Sequence, residues 1–324
     1  MIKFALHFLI AAIFIPMASF AEDAQADARP AYAKRADNLY KDLKNVKRDL
    51  VYKVADGENL SMDLIMPETP LYRDGSPVVI YIHGGGWGGG ERYVLHPNVL
   101  KRYTDKGIAV ACISYRLVKP GRTVLECIED CKDAARFLAK NAKKYGLDPK
   151  RFAARGHSAG GHLSLMEALA PMKDFPGDPA LKNQNPAFVC VAAYAPVTSF
   201  ADPEASEPRA LTSNIKDMTR LLGGNPEEKQ DLAKKISPLE YLKKNSPAIF
   251  LVHGGDDPLV SVNGSRLLEK NAKKLGVEIV YKELENGDHS FNTHGKETNY
   301  TPQELDEAGY EFLFGHLLKG VKKK

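Results

Sequence analysis

A serine lies between two glycines in Gly156-His157-Ser158-Ala159-Gly160, a G-x-S-x-G pattern. A serine hydroxyl is a weak nucleophile at neutral pH and needs a base beside it. Two later segments hold the residue types that could supply one. They are His253-Gly254-Gly255-Asp256-Asp257 and Asp288-His289-Ser290-Phe291. Upstream, His83-Gly84-Gly85-Gly86-Trp87 carries a glycine triplet whose backbone N–H groups can turn toward a developing oxyanion. Nucleophile, base, orienting acid and oxyanion donors are the parts that acyl transfer through a serine requires.

The expected roles follow from these chemistries. Ser158 attacks the acyl carbon. His289 takes the serine proton and returns it to the leaving group. An aspartate orients His289 and stabilises its cation. Asp257 is preferred over Asp256, and the other of the two then reads as a turn residue satisfying local backbone N–H groups. His294, in Asn292-Thr293-His294-Gly295, competes with His289 but lies farther from the preceding strand. The triplet Gly84-Gly85-Gly86, with Ala159 directly after the nucleophile, supplies the expected oxyanion donors. Trp87 reads either as a wall of the acyl pocket or as simple packing. His83, His157, His162 and His253 read as structural.

The elements around these residues fit the chemistry. Arg151 to Gly156 is a short candidate strand and Gly161 to Ala170 reads as helix, so Ser158 must occupy a tight turn between them. Small flanking residues leave room for that turn. Other strand-like runs are Val46 to Val54, Leu60 to Met66, Pro77 to Ile82, Gly107 to Ser114, Ala187 to Ala195, Ala248 to His253 and Val277 to Leu284. Near-continuous apolar runs suit strands buried on both faces of a parallel sheet. Helical runs are His96 to Lys106, Val124 to Tyr145, Val262 to Leu275 and Pro302 to Leu318. The alternation predicts an α/β fold: a mostly parallel eight-stranded sheet with helices on both faces. In such sheets, working residues sit outside the carboxyl ends of the strands. Ser158, Asp257 and His289 each follow a different strand.

Residues 198–247 have a different texture. They are polar, interrupted by prolines, and broken at Gly223-Gly224. They read as a cap insertion of short helices within one domain spanning residues 46–324. Residues 22–45 read as a polar leader. Lys3, the apolar stretch Phe4 to Met17 and the small-x-small site Ser19-Phe20-Ala21 read as a signal peptide, residues 1–21, cleaved after Ala21. That apolar run is short for the roughly 20 residues of a membrane span, so export without stable membrane insertion is expected. A formal net charge of +4 without a basic, aromatic-interleaved stripe argues against nucleic acid as a partner.

Four cysteines remain after that cut: Cys112, Cys127, Cys131 and Cys190. Cys127 and Cys131 share a helix face, where a disulfide is possible but unusual. Free or structural thiols are expected. No second ligand pair accompanies them, no H-E-x-x-H occurs, and no Walker-type lysine follows the glycines. Neither a metal nor a cofactor is expected.

Taken together, the chain resembles the α/β-hydrolase superfamily. It most resembles the bacterial and fungal feruloyl-esterase-like branch, near the hormone-sensitive-lipase-type esterases and the arylformamidases. The resemblance rests on His83 to Trp87, Ser114-Tyr115-Arg116-Leu117, Asp148-Pro149-Lys150-Arg151, Gly156 to Gly161, Ser237-Pro238, His253-Gly254 with Asp257, and Asp288-His289. It spans roughly residues 46–320, and the order Ser, Asp, His is the one this superfamily uses. It implies Ser158, Asp257 and His289 as a triad, with Gly84, Gly85 and Ala159 as oxyanion donors. One departure is Val260-Ser261, where the family often has Val-Pro.

The expected activity is hydrolysis of short acyl or hydroxycinnamoyl esters, either small molecules or plant oligosaccharide fragments. A peptidase or amidase of the same fold is the rival enzyme class. A non-catalytic binding protein is the rival outside enzymes. An intact set of serine, acid, histidine and glycine loop argues against the latter.

Overall fold

Asp56 and Gly57 take φ values of +52° and +77°, which suits the two-residue turn between a pair of right-twisted strands. That turn joins Val46–Ala55 (β1) to Glu58–Ile65 (β2) as an antiparallel hairpin. The computed structural model describes residues 39–206 and 210–324. The expected signal peptide and most of the polar leader lie outside the described residues.

The hairpin forms one edge of an eight-stranded sheet of order β1-β2-β4-β3-β5-β6-β7-β8. The other strands are Ser76–Ile82 (β3), Ala109–Ile113 (β4), Leu147–His157 (β5), Phe188–Tyr194 (β6), Ala248–Gly254 (β7) and Ile279–Leu284 (β8). β2 meets β4 antiparallel, and every pairing from β4 through β3 to β8 is parallel. The carboxyl ends of β3, β5, β7 and β8 therefore open on one edge. The loops bearing Gly84, Ser158, Asp257 and His289 all leave from that edge.

Apolar runs without alternation are explained by burial on both sides. Ile80, Ala154 and Val191 face one set of helices, while Val79, Ala153 and Ala192 face the other. On the first face lie Val124–Lys140 (α2), Ala159–Leu169 (α4) and Val262–Leu275 (α7), contributing Ile128, Leu163, Leu165 and Leu268. On the second lie Pro97–Thr104 (α1) and Pro302–Leu317 (α8), contributing Leu100, Tyr103, Leu313 and Phe314. A fully buried side chain of this size contributes about 1.5–3 kcal/mol, so the sheet's interior rows fix the register.

The single helix expected over residues 124–145 is two. α2 stops at Lys140, and a one-turn helix, Ala142–Tyr145 (α3), follows. Asn141 makes the break: its side-chain amide donates to the Phe137 carbonyl at 2.8 Å, and its φ of −101° leaves the helical well. Gly146 closes α3 with a left-handed φ of +67°.

Buried charges tie this framework together. Asp130 on α2 accepts from Lys53 of β1 at 2.8 Å and from Arg116 at 2.8 and 2.9 Å. Lys132, also fully buried, donates to the Met166 and Ala170 carbonyls at 3.1 and 2.8 Å. Those carbonyls close α4, so a cation stands at the negative end of its dipole. Cys112, Cys127, Cys131 and Cys190 are all free and buried, and burial pushes their thiols upward.

Residues 198–206 and 210–247 fold as short helices, chiefly Ile215–Leu222 (α5) and Gln230–Lys235 (α6). They lie over the carboxyl edge of the sheet. Leu211 N–H bonds the Leu259 carbonyl at 2.9 Å, Phe200 packs on Trp87, and His162 of α4 bonds the Ile236 carbonyl at 2.7 Å. Among the described residues no helix is long and apolar enough to cross a membrane.

Candidate active site

Ser158 joins β5 to α4 with φ +58° and ψ −122°, a backbone shape that side-chain-bearing residues rarely adopt. Close packing holds it there. A Cβ at Gly156 would overlap the Gly160 backbone, and a Cβ at Gly160 would overlap the Ile82 carbonyl. The strained turn is further pinned by Ser158 N–H to the Tyr194 carbonyl at 2.8 Å. The hydroxyl is thereby presented above the sheet at the amino end of α4.

His289 Nε2 lies 2.9 Å from Ser158 Oγ, and His289 Nδ1 lies 2.6 Å from Asp257 Oδ2. The structure thus brings together the serine, histidine and first-choice aspartate read from sequence. Asp257 Oδ1 accepts the backbone N–H groups of Leu259 and Val260 at 2.8 and 3.0 Å. Its side chain is fully buried. Burial alone would raise its pKa, but hydrogen bonds from His253 and His289 and their positive potential hold it well below the carboxylate range. Asp257 is therefore an ionised acceptor facing His289.

Asp256 and His294 stay outside this chain. Asp256 is half-exposed and pairs with Lys296 at 3.0 Å. His294, 69% exposed, bonds Asp288 Oδ2 at 2.9 Å. This separation yields a first prediction. Asp257→Asn should lower kcat/KM by on the order of 10⁴-fold, because the amide that keeps the two backbone bonds must turn its NH₂ toward His289 Nδ1–H. Two donors then face each other, and the imidazole is driven to the wrong tautomer. Asp256→Asn should stay within about twofold of the parent, since it touches only a surface lysine. Assay of both variants on one chromogenic ester checks this, and the opposite ranking would return the acid's role to Asp256.

The glycine loop lies against the nucleophile. A Cβ at Gly84 would lie 2.8 Å from the His157 carbonyl oxygen, beside the nucleophile, so only glycine lets this backbone approach so closely. Gly85 has φ +120°, which excludes other residues without strain. Ala159 opens α4, where the first N–H groups have no partner within the helix. His83 and Tyr115 brace the loop from behind. Their rings stack at 4.3 Å, His83 Nδ1 bonds the Gly84 carbonyl at 2.8 Å, and Tyr115 Oη donates to the His83 carbonyl at 2.9 Å.

Trp87 differs from the pocket wall expected of it. Its ring is 2% exposed, and Nε1 donates to His162 Nδ1 at 3.1 Å. It packs edge-on to His162 and beside Phe200, as a pin between the glycine loop, α4 and the cap. A buried indole needs a partner for its N–H, and His162, held neutral by burial, accepts it.

Three residues near the site carry contacts that their types did not signal. His157 Nε2–H donates to the His289 carbonyl at 2.8 Å, and burial pushes its pKa down to about 4. His253 sits against Asp257, the pair being four apart across a strand end. Arg220 of α5 donates to the Gly86 carbonyl at 3.3 Å, linking the cap to the glycine loop. Only the four-residue spacing of His253 and Asp257 was visible in the sequence, and it is meaningful only once the strand is known to stop between them. A cavity of about 400 Å³ lined by Gly75, Ser76, Gly146 and Leu147 opens at the amino ends of β3 and β5, opposite this site.

Comparison with known proteins finds esterases that share this fold. Esterase LipQ of Mycobacterium tuberculosis is 30% identical over 226 residues, which are 67% of this chain and 51% of that protein. Esterase LipC of the same organism is 27% identical over 235 residues, 70% of this chain and 55% of that protein. The chain thus spans about half the length of the curated relatives it matches. Butyrate-bound esterase Est2 of Thermogutta terrifontis superposes with a TM-score of 0.67 at 25% identity, covering 84% of this chain and 93% of that one. A truncated carbohydrate esterase from gut microbiota shares the fold, with a TM-score of 0.67 at 20% identity over 85% of this chain and 97% of that one. The family model that matches covers residues 62–272, from the second strand past the acid loop. The chain belongs to the BD-FAE family of the α/β-hydrolase fold.

Proposed function

We propose that the protein is an exported serine carboxylic-ester hydrolase, acting on short-chain acyl or hydroxycinnamoyl esters through an acyl-enzyme. The observation that carries this is the unbroken hydrogen-bond path from Ser158 Oγ through His289 to the ionised Asp257. Ser158 Oγ attacks the ester carbonyl carbon as His289 Nε2 takes its proton, giving a tetrahedral oxyanion. The N–H groups of Gly84, Gly85 and Ala159 receive that charge. Collapse expels the alcohol, which takes the proton from His289, and leaves the acyl group on Ser158. Water, deprotonated by the same nitrogen, repeats the sequence and frees the acid. No step needs a metal or an organic cofactor.

Esterase names among the relatives and Est2's bound butyrate support a small acyl group. The carbohydrate esterase with the same fold, and the sequence reading of residues 1–21 as a cleaved leader, support an extracellular or periplasmic sugar ester. The cap adds to the case for short chains. α5 turns Met218, Leu221 and Leu222 into the protein's own core, leaving Ile215 as its exposed large apolar side chain and no continuous apolar face for a long tail.

The test is kcat/KM across p-nitrophenyl esters of rising acyl length, beside methyl ferulate and acetylated xylan, with and without EDTA. Activity should be greatest on acetyl to butyryl or aryl esters, weak beyond about eight carbons, and indifferent to chelator. A maximum on long chains, or loss with EDTA, would defeat the reading. Stoichiometric labelling of Ser158 by an organophosphonate checks the acyl-enzyme chemistry independently.

A further inference from the structure

Asp257 Oδ2 receives a second imidazole. His253 Nε2 lies 3.2 Å from it and 3.1 Å from the Val260 carbonyl. Both neighbours are acceptors, so Nε2 must carry the hydrogen. On the other side, His253 Nδ1 lies 2.7 Å from Ser265 Oγ, in the first turn of α7. A neutral imidazole protonated at Nε2 has only a lone pair at Nδ1, so the Ser265 hydroxyl donates to it. His253 and Ser265 are completely buried. Water therefore has no access to substitute for either bond.

We propose that His253 is a positioning residue for the catalytic acid: its Nε2–H, placed between two acceptors, holds the Asp257 carboxylate on line with His289. This rests on the serine-esterase reading above. Without His253, Asp257 would be under-restrained. Its Oδ1 is anchored by two backbone N–H groups, but those bonds alone leave Oδ2 a single partner, the histidine that must itself move protons. With His253 in place, the path runs Ser265, His253, Asp257, His289, Ser158, and the first turn of α7 is tied to the nucleophile. His253 shares the carboxylate's charge without accepting its proton, since the Nε2 site is already filled. The other titratable groups facing this cluster are His157, packed on the His289 ring, and Glu283 of β8, itself bonded to Arg266 and Tyr281.

Two polar substitutions separate the roles of the two ring nitrogens. The amide of His253→Gln reaches the Nε2 position and keeps a donor for Asp257. That of His253→Asn reaches only the Nδ1 position and loses it. His253→Asn should lower kcat about 10- to 100-fold, the cost of one buried hydrogen bond to a charged group, with KM nearly unchanged. Its kcat/KM profile should also rise at higher pH than the parent's, because a carboxylate with one donor fewer stabilises the His289 cation more strongly. His253→Gln should recover kcat to within about threefold and restore the parent profile. A folded His253→Asn protein with parental kcat and pH profile would overturn the proposal. So would equal losses in both variants, which a merely structural role predicts.

A third measurement needs no variant and no turnover. ¹⁵N-imidazole NMR of the unmodified protein should find a hydrogen on His253 Nε2. A His253 whose Nε2 carries no hydrogen would overturn the proposal even if the variants fail to fold. Because this arm does not depend on ester cleavage, it stands apart from a failure of the esterase reading, which phosphonate labelling of Ser158 detects.

Discussion

Ser158→Ala is expected to lower kcat by about four to six orders of magnitude on any ester the parent cleaves, with thermal unfolding unchanged. The catalytic part follows from what remains. Without Oγ, His289 has no proton to take and the acyl group has no acceptor, so turnover falls to what bound water and the oxyanion donors can supply. The folding part follows from the backbone. Ser158 is held at φ +58°, and such a position costs about 1–3 kcal/mol for any residue with a Cβ. Alanine has the same Cβ as serine, so that strain is neither relieved nor increased. The bonds that hold the turn are backbone ones, Ser158 N–H to Tyr194 and His162 N–H to the Ser158 carbonyl at 3.0 Å, and both survive the change. Kinetics on a chromogenic acetate, beside a melting curve, check both halves. Near-parental turnover in a folded Ser158→Ala protein would remove the elbow from the mechanism.

The elbow was legible in the sequence because its requirements are steric and local. Gly156 and Gly160 stand where a Cβ would strike backbone, and no other residue satisfies that condition. The strands were legible for a related reason. Burial on both faces removes the polar half of the usual alternation, so runs such as Ala109–Ile113 have one physical reading. Strand order in a parallel sheet then gathers Gly84, Ser158, Asp257 and His289 on one edge without any contact being known.

What the sequence hid depends on which side chains meet across that edge. Lys53 and Asp130 form a buried pair although 77 residues separate them, and neither type is expected in a core. Trp87 read as either pocket wall or packing, and the buried histidine that its N–H reaches makes it packing. His162 was visible only as a residue one turn beyond Ser158. His253 looked like a strand terminus, and nothing in its type distinguishes a loop-bonding imidazole from one that bonds the catalytic acid. Asn141 favours a helix end over its interior, but one such residue within a periodic run does not mark a break, which shows only in its bond to Phe137 and its φ.

The histidine assignment separates two neighbours by their surroundings, and the expected contrast is nearly as large as for the serine. His289→Ala should reduce kcat by about 10⁶-fold, because base and acid functions are lost together. His294→Ala should change it by less than about threefold. Both residues belong to one loop, shaped by Asp288, whose Oδ1 accepts the Ser290 and Asn292 N–H groups at 2.8 and 2.9 Å. Burial would raise the Asp288 pKa, but those backbone bonds and the one from His294 hold it below the usual value. His294 therefore braces an anion that the loop's own backbone already satisfies, from a largely exposed position where ion pairs contribute little. His289 has no such redundancy. Its Nδ1 bonds the buried Asp257 carboxylate, its Nε2 faces the Ser158 hydroxyl, and its backbone carbonyl is fixed by His157. A dead His294→Ala protein, or an active His289→Ala one, would show that the loop presents a different base to Ser158.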